Sequence, residues 1–156
     1  MRHDTVHGTL PSRMNLPAAG PEVFSAMMNF SRQAESGLPA ALACLVKIRA
    51  SQLNRCAYCL AMHTGEARAA GESEQRLDSL ADWQRAPVFT DSERAALALT
   101  EAVTLVACEG VPDEIFAAAA RHFTEAALAR LLWTIAAINA WNRVAIATRM
   151  IPPDQP

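Results

Sequence analysis

The chain lacks a surplus of charge of either sign: 14 lysines and arginines against 16 aspartates and glutamates give a formal net charge of −2. A nucleic-acid surface needs clustered cations, so this balance argues against one. Long apolar runs are also missing; none approaches the ~20 residues that a membrane span requires. The opening stretch MRHDTVHGTLPSRMNLP has no apolar core of the secretory kind, so no signal peptide is expected there. No low-complexity linker divides the 156 residues, no repeat recurs at solenoid periods, and runs of β-branched residues are few. These absences leave one ordinary domain, long enough to bury most of its apolar surface without staples. The expected location is the cytoplasm, where thiols stay reduced. The four cysteines are then no disulfide framework, and a CxxC among them points to catalysis or metal binding.

Helix formers fill the space between the punctuating residues, so the expected fold is all-α. Gly8, Pro11, Pro17 and Gly20 mark residues 1–20 as an extended arm, and 151–156 as a mobile tail closes a helical domain over 21–150. Pro21 and Glu22 suit a first helical turn that runs to Gly37. Leu38, Leu42, Leu45, Val46 and Ile48 are spaced as in a buried helix. Asn54 is placed to cap a helix from Arg55 to about Ala70, stopped by Gly71. A short helix through Leu77 and Leu80 ends near Pro87. Thr90 and Glu93 match a capping box, and Pro112 with Asp113 and Glu114 opens another helix. The longest helix starts at Thr124 and is apolar round most of its circumference. It should be buried on several sides or packed on another subunit, with Trp133 and Trp141 as core residues or interface anchors. A homo-oligomer is therefore expected.

The sharpest pattern is CAYCLAMH at residues 56–63. At ~100° per residue, Cys56, Cys59 and His63 fall within about one sixth of a helix circumference. Residues three apart on a helix are ~5–6 Å apart at Cα, which a disulfide can bridge. His63 follows Cys59 by one turn, within reach of its thiol directly or through a water. Cys56 lies near the helix N-terminus, where free amides and the macrodipole favour a thiolate. A redox pair, a metal clamp and two small packing residues all remain open on this pattern. The in-phase histidine and the nearby cap weigh toward chemistry. Tyr58 and Met62 read as packing residues.

The stretch KIRASQLNRCAYCLAMHTGEARAAGESEQRLDSLADWQ, followed by FTDSERAALALTEAVT, closely resembles the alkylhydroperoxidase D-like (AhpD-like) branch of the carboxymuconolactone decarboxylase superfamily. The likeness extends over roughly residues 20–150. It implies an all-α fold with the CxxCxxxH motif in the N-terminal part of a central helix, assembled as dimers, trimers or hexamers. It also implies a peroxidase that reduces hydroperoxides to alcohols without a cofactor, taking electrons from a dithiol on a lipoylated or thioredoxin-like partner. By that resemblance Cys59 is the thiol oxidised to sulfenic acid, Cys56 resolves it, and His63 belongs to a proton relay. The helix-dipole argument alone favours Cys56 as the more acidic thiol, whereas the one-turn spacing to His63 supplies a base to Cys59.

Two positions depart from the family pattern. A relay glutamate usually stands where this chain has Cys44, and a histidine where it has Tyr58. A hairpin of 38–53 on 55–70 would set Cys44 beside the CxxC helix, and Cys44→Glu would then be expected to raise the rate. Glu66, three residues after His63, is a substitute candidate to orient the imidazole, although an exposed helix carboxylate is the commoner role. Three other readings compete. Cys44, Cys56, Cys59 and His63 would make a Cys₃His zinc site, cramped because three ligands share one helix. A decarboxylase or lactone-processing enzyme is disfavoured by the cysteine pair. A helical oligomer with a vestigial site fits the Cys44 departure. Cys108 reads as a packed small residue, His122 as a cation favourable at a helix C-terminus, and His3 and His7 as arm residues without a role.

Overall fold

A computed structural model describes residues 11–152. Among these residues there are nine α-helices and no strand: α1 (Leu16–Ala19), α2 (Pro21–Glu35), α3 (Ala40–Leu53), α4 (Ala57–Ala69), α5 (Glu74–Ser79), α6 (Asp91–Thr104), α7 (Val106–Glu109), α8 (Asp113–His122) and α9 (Glu125–Thr148). The all-α expectation holds. His3, His7 and the outer parts of the expected arm and tail lie outside the described residues. Within the arm, Leu16–Ala19 is helical rather than extended, because the Asn15 side chain accepts a hydrogen bond from the Ala18 amide and caps the turn.

The long helix α9 is the hub, packing against α2, α3, α4, α6 and α8. Its inner face presents Leu128, Leu131, Ile135, Ile138 and Ala145, all buried. Leu42 and Val46 of α3 and Ala96 and Leu99 of α6 complete one core with its first half. A second core gathers Leu45 and Ile48 of α3, Ala67 of α4, and Leu77, Leu80, Trp83, Phe89 and Leu97. The capping box at α6 forms: Thr90 Oγ1 accepts from the Glu93 amide, and Glu93 Oε2 accepts from the Thr90 amide at 2.8 Å. On the outer side of α9, Trp133 is 58% exposed and meets Phe30 edge to face, whereas Trp141 is half-buried against Phe24.

The junction between α3 and α4 differs from the sequence expectation. Asn54 does not cap α4; it is the C-cap of α3, donating its amide to Ala50 O. The chain then leaves α3 through a Schellman turn, with the Arg55 amide on Gln52 O and the Cys56 amide on Ser51 O. Arg55 occupies the left-handed position of that turn at φ 57°, where glycine is usual. The same device recurs at the end of α9, where Arg149 sits at φ 53° and the Met150 amide returns to Ala145 O. Both arginines thus hold a backbone conformation that costs a non-glycine residue about 1–2 kcal/mol. Each one aims the residue after it, Cys56 and Met150, toward the same place.

Candidate functional site

Because α4 begins at Ala57, Cys56 stands outside the helix as its N-cap, in an extended conformation at φ −87° and ψ 94°. Its sulfur fills the role usually taken by a serine or aspartate oxygen, accepting the Cys59 amide at 3.3 Å. Closing that cap draws the side chain over the first turn, and the Cys56 and Cys59 sulfurs lie 2.6 Å apart. Both residues are 1% exposed. They pack with Ala50 of α3 and with Ile138 and Ala145 of α9, under Tyr58, Trp141 and Met150.

The local field separates the two thiols. Cys56 is lowered to about 7, first by the hydrogen bond from the Cys59 thiol and then, against the opposing effect of burial, by the Cys59 amide, the Asn142 side chain and the Tyr58 amide. Cys59 is pushed well up, first because its proton is held by Cys56 and second because it is buried. The first negative charge on the pair therefore rests on Cys56, as helix-dipole reasoning favours. Tyr58 is also raised, by burial and then by charge on the two thiols.

His63 lies in the same helix and is buried at 6% exposure. Its Nδ1 is 2.8 Å from Glu66 Oε2, which must accept, so Nδ1 carries the proton and Nε2 is the nitrogen left to exchange one. Glu66 is held below the usual carboxylate range, first by this hydrogen bond, with burial opposing and Lys47 assisting. Lys47 of α3 stands 3.7 Å from Glu66 Oε2 and 2.8 Å from Glu35 Oε2 of α2. Burial pulls the Lys47 ammonium down, yet its hydrogen bond to Glu35 and the two carboxylate charges leave it raised. A polar row thus runs from His63 through Glu66 and Lys47 to Glu35. Neither Lys47 nor Glu35 was singled out in the sequence; the signal available was a lone cation inside the apolar run ALACLVKIR.

These groups border a cavity of about 170 Å³. Its polar side is Glu35, Lys47, His63, Glu66 and Arg32, and its apolar side includes Phe24, Met28, Tyr58, Met62, Ile138, Trp141 and Met150. Tyr58 and Met62 are thus cavity walls as well as packing residues.

Cys44 is not brought to the pair. It is buried in the other core with Leu45, Ile48 and Ala67, against the C-terminal half of α4, and its thiol is raised by burial with Lys47 opposing. The carboxylate that meets the imidazole is Glu66, three residues on in the same helix. Among the described residues no three His, Cys, Asp or Glu side chains are grouped to hold a metal ion, so the Cys₃His set is not assembled. Cys108 is exposed on the four-residue helix α7 rather than packed. His122 lies in the last turn of α8, and its side of that helix is exposed.

The comparisons with known proteins agree with this architecture. The model of the carboxymuconolactone decarboxylase family matches residues 21–102. The uncharacterised protein YdfG of Bacillus subtilis is 37% identical over 139 residues, covering 88% of this chain and 95% of that protein. Among solved structures, a protein of unknown function from Agrobacterium tumefaciens, suggested to be the antioxidant defence protein AhpD, superposes with a TM-score of 0.90 at 38% identity. That match covers 93% of this chain and 100% of the other. An uncharacterised peroxidase-related protein from Ralstonia eutropha, described as an alkylhydroperoxidase AhpD core, shares the fold with a TM-score of 0.78 at 23% identity, over 88% of this chain and 74% of its own. With its sequence matched by the family model and its fold shared along its length, the chain belongs to the carboxymuconolactone decarboxylase family, in the AhpD-like branch.

Proposed function

We propose that the protein is a thiol-dependent peroxidase that cycles Cys56 and Cys59 between dithiol and disulfide. The observation that carries this reading is the pair of sulfurs 2.6 Å apart, packed with Tyr58, Ile138, Trp141 and Met150, which also line the cavity bordered by His63 and its carboxylate. At rest the pair shares one proton, with the charge on Cys56. When a hydroperoxide enters, the Cys59 proton crosses to Cys56, and the Cys59 thiolate becomes the stronger nucleophile of the two because its pKa is higher. Cys59 attacks the peroxide oxygen and the O–O bond breaks. The leaving alkoxide takes a proton delivered through His63 Nε2 and departs as alcohol. Cys59 is now a sulfenic acid. Cys56 gives up the proton it took from Cys59 and attacks the Cys59 sulfur; the S–O bond breaks, and hydroxide leaves with that proton as water. The balance is the dithiol monoanion, one proton drawn from solvent through His63 and one hydroperoxide, giving disulfide, alcohol and water.

An external dithiol, on a lipoylated or thioredoxin-like protein, then reduces the disulfide by exchange. Cys56 suits the first attack by that reductant's thiolate least and suits leaving best, since the lower-pKa thiol is the better leaving group. The mixed disulfide is therefore assigned to Cys59. No cofactor enters this cycle.

Cys59→Ser is expected to abolish turnover, and Cys56→Ser to allow one sulfenate-forming event without dithiol-driven turnover. In the parent protein, alkylation of the pair should accelerate as pH rises through about 7, where Cys56 loses its proton, and Cys56→Ser should remove that step. Full turnover by Cys59→Ser would overturn the assignment. A second expectation isolates the imidazole: Glu66→Gln should lower kcat/KM about ten- to a hundred-fold, as loss of oriented acid–base assistance does, while leaving alkylation of Cys56 near its parent rate. Equal losses in both assays would mean that Glu66 acts on the fold rather than on His63.

We also infer that the chain works as a homo-oligomer. Trp133 and Phe30 lie together on the outer side of α9 and α2, and Val144 and Ile146 are exposed further along α9. Light scattering at micromolar concentration should give a mass that is a multiple of 16.8 kDa. A species of only that mass would contradict the inference.

A further inference from the structure

Next to the cysteine pair lies a buried polar cluster built from Asn54, Asn139, Asn142, Ser51 and Thr104. Ile138, Asn142 and Ala145 follow one another on the inner face of α9, and the outer two pack directly on the thiols. Asn142, between them, is 0% exposed. A buried amide can turn either its oxygen or its nitrogen toward a sulfur, with opposite consequences for a thiolate. Here the choice is dictated from a distance.

The dictating group is Arg143. Its guanidinium has no acceptor atom, and Nη1 lies 3.0 Å from the Asn139 side chain, which must therefore present Oδ1. The other end of Asn139, Nδ2, accordingly donates to Ile135 O at 2.9 Å and Thr104 Oγ1 at 3.0 Å. Asn54 also reaches Asn139 Oδ1, at 2.9 Å, so Asn54 must offer Nδ2. The same Nδ2 donates its second hydrogen to Asn142 at 2.8 Å, which fixes Oδ1 of Asn142 on that side. Nδ2 of Asn142 then points to Ser51 Oγ at 3.0 Å. That hydroxyl has given its own proton to Lys47 O at 2.8 Å and can only accept. One N–H of Asn142 is left, and Asn142 lies between Ile138 and Ala145, which pack with Cys56 and Cys59.

Resting on the redox-dithiol reading, we propose that Asn142 is a catalytic residue: its Nδ2–H donates to the thiolate of the pair. The polarity of that donor is set by the chain of amides from Arg143 through Asn139 and Asn54. The titratable groups nearest the pair besides the two thiols are Tyr58, packed against it, and His63, one turn on from Cys59, both on α4; α3 and α9 contribute uncharged Ser51, Ala50, Ile138, Asn142 and Ala145.

The test needs no peroxide. Thiolate formation is followed by ultraviolet absorbance and by the rate of iodoacetamide reaction across pH, on parent, Asn142→Leu and Asn142→Asp. Asn142→Leu should move the first midpoint up by about one pH unit, slowing alkylation at neutral pH about tenfold. Asn142→Asp, which keeps the shape but loses the donor and adds charge, should move it further. Should either variant fail to fold, the parent itself answers: by isotope-edited NMR, the Asn142 side-chain amide should shift with the midpoint of the thiols. An unchanged midpoint in folded Asn142→Leu, or an Asn142 amide signal that stays fixed while the thiols titrate, overturns the proposal. A raised midpoint beside a parent protein that consumes no hydroperoxide would keep the donor and reject the peroxidase reading.

Discussion

Everything at the site depends on one backbone hydrogen bond, from the Cys59 amide to the Cys56 sulfur. A helix leaves its first amides without partners, and any acceptor at the N-cap is drawn over them. Here the acceptor is a thiol, so the demand of the helix for a cap and the demand of the chemistry for a close dithiol are met by one side-chain rotation. The cap holds only if Cys56 enters α4 in an extended conformation, and this follows from the left-handed turn at Arg55. The sole described non-glycine residues at positive φ are Arg55 and Arg149, and they precede Cys56 and Met150, which pack in the same cluster. Backbone strain is concentrated where the site is aimed.

Charge around the pair is arranged in two layers with different tasks. On the cavity side, Glu66 accepts from His63 and Lys47 bridges Glu66 to Glu35; in the proposed cycle this row orients the imidazole for proton delivery. Beside the pair, the proposed Asn142 donor is a neutral amide and adds no full charge to the core. Among the described residues no buried side-chain nitrogen or oxygen lacks a partner, which is what a stable polar cluster in low dielectric requires. The carboxylate that meets the imidazole comes from the same helix, at Glu66.

Much of the fold was legible because its signals are local. Thr90 with Glu93, Gly71, and Thr124 ahead of an apolar run each specify a helix end through chemistry confined to a few residues. The CxxCxxxH set was legible as a dithiol with a histidine for the same reason. The exact entry into α4 was not: Asn54 can cap a following helix or end a preceding one, and the Schellman turn that decides between them needs a positive φ at an arginine, which composition disfavours. The partners of His63 were only half legible. Glu66 shares its helix, whereas Lys47 and Glu35 arrive from α3 and α2 through tertiary packing. Asn139 and Asn142 were not singled out, although they are polar residues three apart in a largely apolar stretch. Their bonding to Asn54 spans more than 80 residues of chain, and no local pattern encodes it.

The most direct measurement is the fate of the pair after one equivalent of tert-butyl hydroperoxide is added to fully reduced protein. Proteolysis without reduction, followed by mass spectrometry, reads the peptide that contains both Cys56 and Cys59. The expected result is a peptide lighter by two hydrogens, one alcohol released per protein, and Cys44 and Cys108 still open to alkylation after unfolding. A peptide that keeps both thiols while the peroxide persists, or oxidation confined to the exposed Cys108, would contradict the assignment of the dithiol as the reacting centre.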